Sequence, residues 1–395
     1  MQHPAPMRIA YVTETYPPEL NGVSLTVERT VRFLRARGHD VELIRPRQPG
    51  ESALDAADEL RTAGCAIPMY PEMRFGLSSM GALKRRFART RPHVVHLATP
   101  GPLAWAALLA ARSLGIAVTS DFRTNFHQYS RYYGISWLAA PVLALLRRFH
   151  NLTRCTFVPT RASRDELAAA GFHNLTVVGR GVDSDRFTPA VRSAALRAQW
   201  GAGADGTDGR VLITVGRVAA EKNIELALRA FERARELVPE TRLVVVGDGP
   251  ARARLEAAHP AVCFVGVQRG DALAAHYASA DAFLFPSLSD TFGNVVMEAL
   301  ASGLPVLAFD TAAAGEHVVD GVSGRLVVPG DELAFIDAAC ALVKLPAAAL
   351  ASMRERALEA ARRATWPEIL ARFEARLEAT VHALETTSAP SAVAA

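Results

Sequence analysis

The sequence predicts an α/β protein made of two doubly wound domains, and three observations carry that expectation. Strand-like and helix-like segments alternate from end to end, the pattern of parallel strands joined by crossover helices. The alternation breaks once, at the Gly/Asp stretch "WGAGADGTDG" (Trp200 to Gly209), and then starts afresh. The length of 395 residues exceeds the roughly 250 to 300 that one core ordinarily fills.

In order, "RIAYVTE" reads as a strand, Ser24 to Gly38 as a helix and "DVELIRP" as a strand. Then follow "HVVHLAT", a helix over Pro102 to Leu114, and "IAVTSDF". After a linker near residues 180 to 208 come "VLITVGR", a helix over Ile224 to Leu237, "RLVVVGDG", a helix over Ala251 to Ala258 and "VCFVGV". "DAFLFPS", a helix over Asn294 to Ser302 and "PVLAFD" complete the second domain. The expected boundaries are 1–185 for the first domain, 186–365 for the second, 366–384 for an amphipathic helix packing back on the first, and 385–395 for a disordered tail. In open sheets of this kind, ligands bind beyond the carboxyl ends of the strands, and a cleft between the domains is expected to hold them.

Half the residues are apolar and 21% charged, the composition of an ordinary globular protein. Residues 1–185 carry 23 Lys/Arg against 15 Asp/Glu and the remainder 21 against 25, so the net +4 divides into +8 and −4. The basic half suits either a phosphate-rich or anionic membrane partner or a solvated Arg-rich surface. The chain lacks any recognised nucleic-acid module, so a nucleic-acid partner is not expected. Cys65, Cys155, Cys263 and Cys340 form no CxxC pair, which predicts reduced thiols rather than a zinc site or disulfide framework. The sequons at Asn151 and Asn174 are then chance matches. "MQHPAPMRIA" has no signal-peptide pattern, and the longest apolar stretch, Leu103 to Val118, is too short to span a bilayer and carries Arg112. The expected location is the cytoplasm, in solution or peripherally on the inner face of a membrane.

Three loops have anion-binding character. "TVGRVAAEKN" ends a strand at Gly216 and sets Arg217 and Lys222 before a helix, where amides, helix dipole and two cations can hold a diphosphate. "VVVGDGPARAR" is a strand, a GDG turn and a helix, but has Arg252 where the dinucleotide fingerprint needs a third glycine. "SDTFGNVVMEALASGLPV" places Asp290 in a glycine-bearing loop and Glu298 in an apolar helix capped by Asn294, close to free amides. His93 and His96 are expected at the ends of a strand, satisfied locally rather than binding metal.

Taken together and in this order, "VTETYPPELNGV", "VGRVAAEKN", "VVVGDGP", "YASADAFLFPSLSDTFGNVVMEALASGLPV" and "GVSGRLVVPGD" resemble the retaining glycosyltransferases of family 4, which have the GT-B fold. The resemblance spans nearly the whole chain. It implies two Rossmann-like domains, the second holding a GDP- or UDP-sugar and the first an acceptor. It implies that Asp290 meets the hydroxyls of the donor hexose and Glu298 the ribose, and that Arg217 and Lys222 clamp the diphosphate. The amides of Phe292, Gly293 and Asn294 are implied as further donor contacts beside Gly216, and Gly22 as the glycine of a first-domain loop that closes on the β-phosphate. Relatives acting on lipids have a histidine within "SYHTN"; here "SDFRTNFHQY" puts Arg123 at that place and His127 four residues on. Asp290 likewise stands where the family has Glu, one methylene and about 1.5 Å shorter.

The reaction so implied is retaining transfer of a hexose, mannose or glucose, to a hydroxyl of a lipid or lipid-linked glycan, with neither metal nor other cofactor. A sugar-nucleotide-binding protein impaired by Asp290 and Arg123, and a transferase with a soluble acceptor, stay open as alternatives. Lys84, Arg85, Arg86, Arg89 and Arg91, with the Trp/Leu-rich run before Arg147, Arg148 and Arg154, suit an anionic membrane; Trp137, Leu138, Val142, Leu145 and Leu146 equally suit a core helix.

Overall fold

The computed structural model describes residues 5–19, 22–51, 58–67, 70–123, 139–203, 209–288, 290 and 292–388. The chain divides into two compact units, residues 1–178 with 370–395, and residues 179–369. The division falls at 178/179 rather than 185/186, and the C-terminal helix, Trp366–Ser388, outruns the expected end at 384.

The first unit contains β1 (Arg8–Val12), β2 (Asp40–Pro46), β3 (Glu59–Ile67), β4 (Tyr70–Leu77), β5 (Val94–Leu97), β6 (Ala117–Asp121), β7 (Cys155–Val158) and β8 (Leu175–Val177). They form one sheet in the order β4-β3-β2-β1-β5-β6-β7-β8, parallel except for the β3–β4 pair. Glycine and proline interrupt the apolar pattern over residues 59–77, which hid that hairpin from the sequence. Its helices among the described residues are α1 (Gly22–Ala36), α2 (Met80–Thr90), α3 (Pro102–Ser113), α4 (Ala139–Asn151), α5 (Arg161–Ala169) and most of the C-terminal helix.

Strand β1 explains why the sheet needs helices on both faces. Ile9 and Tyr11 pack with Val27, Val31 and Leu34 of α1 and with Phe373 and Leu377 of the C-terminal helix. Ala10 and Val12 point the other way, into Leu83 and Phe87 of α2 and Leu103 and Leu108 of α3. Each such Leu, Val or Phe contributes about 1.5–3 kcal/mol on burial. The C-terminal helix is also held by polar groups. His39 Nδ1 accepts from the Met7 amide at 3.0 Å, so Nε2 carries the proton and donates to Glu374 at 2.8 Å; Arg37 donates to the same carboxylate at 3.2 Å.

The second unit contains β9 (Val211–Val215), β10 (Arg242–Val246), β11 (Cys263–Gly266), β12 (Ala282–Phe285), β13 (Val306–Phe309) and β14 (Gly324–Val327). All its pairings are parallel, in the order β11-β10-β9-β12-β13-β14. Its helices among the described residues are α6 (Ala194–Gln199), α7 (Ile224–Leu237), α8 (Arg252–Ala258), α9 (Gly270–Ser279), α10 (Asn294–Ala301), α11 (Ala312–His317), α12 (Glu332–Val343), α13 (Ala347–Arg362) and the first residues of the C-terminal helix. Chain order reverses between β9 and β12, so the loops after these two strands flank the switch point. No single helix among the described residues is long and apolar enough to cross a membrane; α12 and α13 reach that length and composition only as a pair bent by 114°.

At the amino end of β12, Asp281 is the electrostatic anchor of this unit. It accepts from Arg197 at 3.0 Å, from Arg192 at 3.0 Å and from the Val211 amide at 2.9 Å, with Arg354 at 3.5 Å. Arg197 is fully buried, so removing its carboxylate partner strands a guanidinium in the core, a loss of about 3–5 kcal/mol. Asp281→Ala is therefore expected to lower the unfolding free energy of the second unit by an amount in that range, read as a lower urea midpoint in fluorescence-monitored denaturation. An unchanged midpoint contradicts the anchoring role.

Candidate functional site

The loops that follow β9, β10 and β12 are built by close backbone approach. Gly216 donates to the Val246 carbonyl at 3.0 Å, and Val218 donates to that of Asp248 at 2.9 Å. A Cβ on Gly247 would stand 1.9 Å from the Gly216 oxygen, and one on Gly249 would stand 2.4 Å from that of Val218. The GDG glycines are thus demanded by backbone passing backbone, which accounts for them as a packing feature. The β9 loop then closes on the β12 loop. Asn223 Nδ2 reaches the Pro286 carbonyl at 3.4 Å, Ser287 Oγ the Glu221 carbonyl at 3.5 Å, and Lys222 Nζ lies 2.6 Å from Asp290 Oδ1.

Lys222 and Asp290 are partly buried, whereas the Arg217 side chain is 56% exposed and lies 3.6 Å from Glu221. The other carboxylate oxygen of Asp290 is enclosed and accepts no hydrogen bond from the described residues, and the same holds for Oδ1 of Asn294. Asn294 does not cap α10, contrary to the sequence reading. Gly293 occupies the cap with φ +84°, and among the described residues no side chain accepts from the first amides. Those amides can therefore serve an anion. Phe292 is a core residue, its ring 6.1 Å from that of His317 and beneath the Arg180 guanidinium at 5.9 Å.

Glu298 stands in the second turn of α10. Its carboxylate accepts from the Tyr277 hydroxyl of α9 at 3.1 Å, and burial pushes the carboxyl up to about 7 despite that bond. The pairing escaped sequence reasoning because 21 residues separate the partners; "YASAD" showed Tyr277 but nothing showed what it faces.

In the first unit, the carboxyl ends of β1, β5 and β6 gather a second set of polar groups. Asp121 bonds His96 Nε2 at 3.2 Å and Arg123 Nε at 2.6 Å, and His96 Nδ1 meets Thr119 at 2.9 Å. Burial pushes the Asp121 carboxyl up, yet Arg123 and His96 outweigh it and hold it below the usual range. His96 is thus satisfied within the sheet, and His93 Nδ1 accepts from the Arg8 amide at 2.9 Å. Arg123 is committed to a buried carboxylate, while His127 lies outside the described residues. Gly22 is the exposed first residue of α1. Glu14, just after β1, accepts from the Leu103 amide at 2.9 Å and from that of Gly76, closing the start of α3, and burial pushes it to about 7. A Cβ at Gly101 would fall 2.1 Å from its carboxylate.

In the first unit, Lys84, Arg85, Arg89 and Arg91 are exposed, as are Leu77 and Met80, but Arg86 is paired with Glu42. On α4, Leu145, Arg147 and Arg148 are exposed whereas Leu146 and Phe149 are core; Trp137 and Leu138 lie outside the described residues.

Comparison with known proteins adds to this geometry. Residues 20–186 match the family model described as Glycosyltransferase Family 4, and residues 209–344 that described as Glycosyl transferases group 1. A GDP-mannose-dependent alpha-mannosyltransferase of Mycobacterium tuberculosis is 35% identical over 93% of this chain and 97% of its own. An alpha-monoglucosyldiacylglycerol synthase of Streptococcus pneumoniae is 26% identical over 83% of this chain and 77% of its own. Among solved structures, sucrose-phosphate synthase from Thermosynechococcus elongatus aligns with a TM-score of 0.71 at 19% identity, covering 95% of this chain and all of that one. The fold is of GT-B type, with a Rossmann-like core in each unit.

The raised carboxyl of Glu298 sets a pH dependence. A folded-state value near 7 against 4.5 unfolded means the native state holds more protons in between, so stability falls as pH rises from about 4.5 to 7. Glu298→Gln keeps an acceptor for Tyr277 and removes this contribution. Urea titrations at pH 5.5 and 7.5 should show the variant losing about 2 kcal/mol less than the parent across that interval. Equal losses in both proteins count against the enclosed, ionising carboxylate.

Proposed function

Because the chain belongs to glycosyltransferase family 4, we propose that it moves mannose from GDP-mannose to a hydroxyl of a lipid or lipid-linked acceptor, with the anomeric configuration retained. One observation carries this reading: a lysine, two carboxylates and the uncapped amides of α10 converge beside the switch point of the second unit. Mannose and guanine are favoured by the name of the mycobacterial relative, and a diacylglycerol-type acceptor by that of the streptococcal one.

On this reading Arg217 and Lys222 hold the diphosphate, aided by the amides of Gly293 and Asn294. Glu298 receives the ribose hydroxyls. Asp290 receives hydroxyls of the hexose through the oxygen that now accepts nothing, and Asn294 Oδ1 offers a further acceptor. As the C1–O bond to phosphate breaks, the sugar gains oxocarbenium character and the diphosphate gains negative charge, which the two cations stabilise. The acceptor oxygen bonds to C1 on the same face, and its proton passes to the departing phosphate oxygen. No metal is needed for this charge balance.

Arg217→Ala and Lys222→Ala should each lower transfer by a factor equivalent to about 2–4 kcal/mol, far more than they lower thermal stability. The assay uses GDP-[14C]mannose with EDTA present, where the parent should keep its rate. Full activity in both variants, or a parent rate that collapses until magnesium is added, rejects the cationic clamp. Nucleotide binding with no turnover on any acceptor favours the impaired binding protein instead.

The exposed basic face of α2 suits an anionic leaflet, at about 1 kcal/mol per residue near the surface. In flotation with phosphatidylglycerol-rich vesicles the protein should float at low salt and sink as salt rises. Replacing Lys84, Arg85 and Arg89 by Ser should weaken flotation at constant fold. A parent protein that stays at the bottom of the gradient at low salt points to a soluble acceptor.

A further inference from the structure

Glu298 is bonded to a group that the proposed chemistry has not used. Tyr277 is completely buried, its ring in edge contact with Phe187 and Phe283 at 5.8 Å each, so the position of its hydroxyl is fixed by packing. That hydroxyl donates to Glu298 Oε2 at 3.1 Å. We infer that Tyr277 is a positioning residue for nucleotide recognition, holding one oxygen of Glu298 so that the other is presented to the ribose diol.

The inference rests on the reading of Glu298 given above and deepens it. A glutamate on a helix has three side-chain torsions, and ordering a free one on binding costs rotamer entropy. A donor already seated on Oε2 removes most of that cost and fixes the carboxylate plane. Each carboxylate oxygen has two acceptor directions, so a phenol on one leaves room for both ribose hydroxyls. The phenol also favours the ionised carboxylate, the better acceptor for two hydroxyl donors. Other charges on the helices packed against α10 do not share this task. Glu316 and His317 lie on α11; on α13, Arg354 is held by Asp281 and Arg356 by Glu359, and none of these shifts the Glu298 carboxyl.

The test compares binding of GDP and of 2′,3′-dideoxy-GDP by calorimetry between pH 5.5 and 8.5. Tyr277→Phe keeps the ring and its packing. It should bind GDP about tenfold more weakly near neutral pH with dideoxy-GDP unaffected, and the midpoint of the pH dependence should rise. Incorporation of 3-fluorotyrosine at position 277, a stronger donor of nearly the same shape, should move that midpoint down, which keeps the test available if the phenylalanine variant folds poorly. Glu298→Gln serves as the control. If it binds GDP as the parent does, the ribose assignment of Glu298 fails and the role of Tyr277 falls with it. If it loses the preference for GDP over dideoxy-GDP while both Tyr277 substitutions leave preference and midpoint untouched, the site reading stands and Tyr277 is only a core residue.

Discussion

The ion pair between Lys222 and Asp290 is the contact on which the arrangement of the second unit's loops depends. Lys222 arrives at the end of a short 3-10 turn, and Asp290 arrives from the loop after β12, 68 residues later. A carboxylate with one enclosed oxygen is costly to hold there without a counter-charge. The Lys222 ammonium at 2.6 Å supplies that counter-charge at the carboxyl edge of the sheet. Glycines at 216, 247 and 249 make the approach possible at all, because any side chain there would collide with the neighbouring loop's backbone or strain its own.

The two ends of this sheet treat charge in opposite ways. At the amino end Asp281 is saturated by three arginines and an amide, so every oxygen has a donor and the site is rigid. At the carboxyl end, among the described residues, Asp290 Oδ2 and Asn294 Oδ1 have none, and Glu298 has only Tyr277. Buried acceptors without donors are unfavourable in an isolated protein. These two lie beside the switch point, where the proposed reading gives both of them donor hydroxyls to accept from. The first unit shows the saturated arrangement near its own strand ends, where Asp121 binds both His96 and Arg123. Arg123 there is a partner of the buried Asp121 first, so its guanidinium carries its counter-charge with it.

Much of this was legible in the sequence, for identifiable reasons. Alternating strand and helix patterns located every strand of the second unit except β14, because fully buried parallel strands read as uninterrupted apolar runs such as "VLITV" and "AFLF". The loops with Gly216, Arg217, Lys222 and Asp290 were visible as glycine and charge at strand ends. What was hidden depended on distance in the chain. Nothing local in "VVMEAL" says that Glu298 faces a tyrosine on the preceding helix, and nothing in "SADAF" says that Asp281 gathers Arg192, Arg197 and Arg354. The cap of α10 was misread for a related reason. Asn is a good cap by propensity, but Gly293 takes the left-handed conformation and shifts the helix start by one residue.

The substitution of Asp for Glu at position 290 gains a physical sense from the same ion pair. A shorter side chain keeps its carboxylate close to its own loop, and here Lys222 reaches across to meet it. On the proposed reading, the lysine has two anionic partners in turn: Asp290 before the donor arrives, and the diphosphate afterwards. Transfer of the ammonium toward phosphate strips Asp290 of its counter-charge at the moment the hexose hydroxyls arrive to donate to it. Sugar recognition and diphosphate recognition then become one coupled event, because a nucleotide without sugar leaves Asp290 unpaired and a sugar without phosphate leaves Lys222 where it was. A coupling of this kind favours the intact nucleotide sugar over its fragments, through a lysine that changes partners rather than through additional contacts.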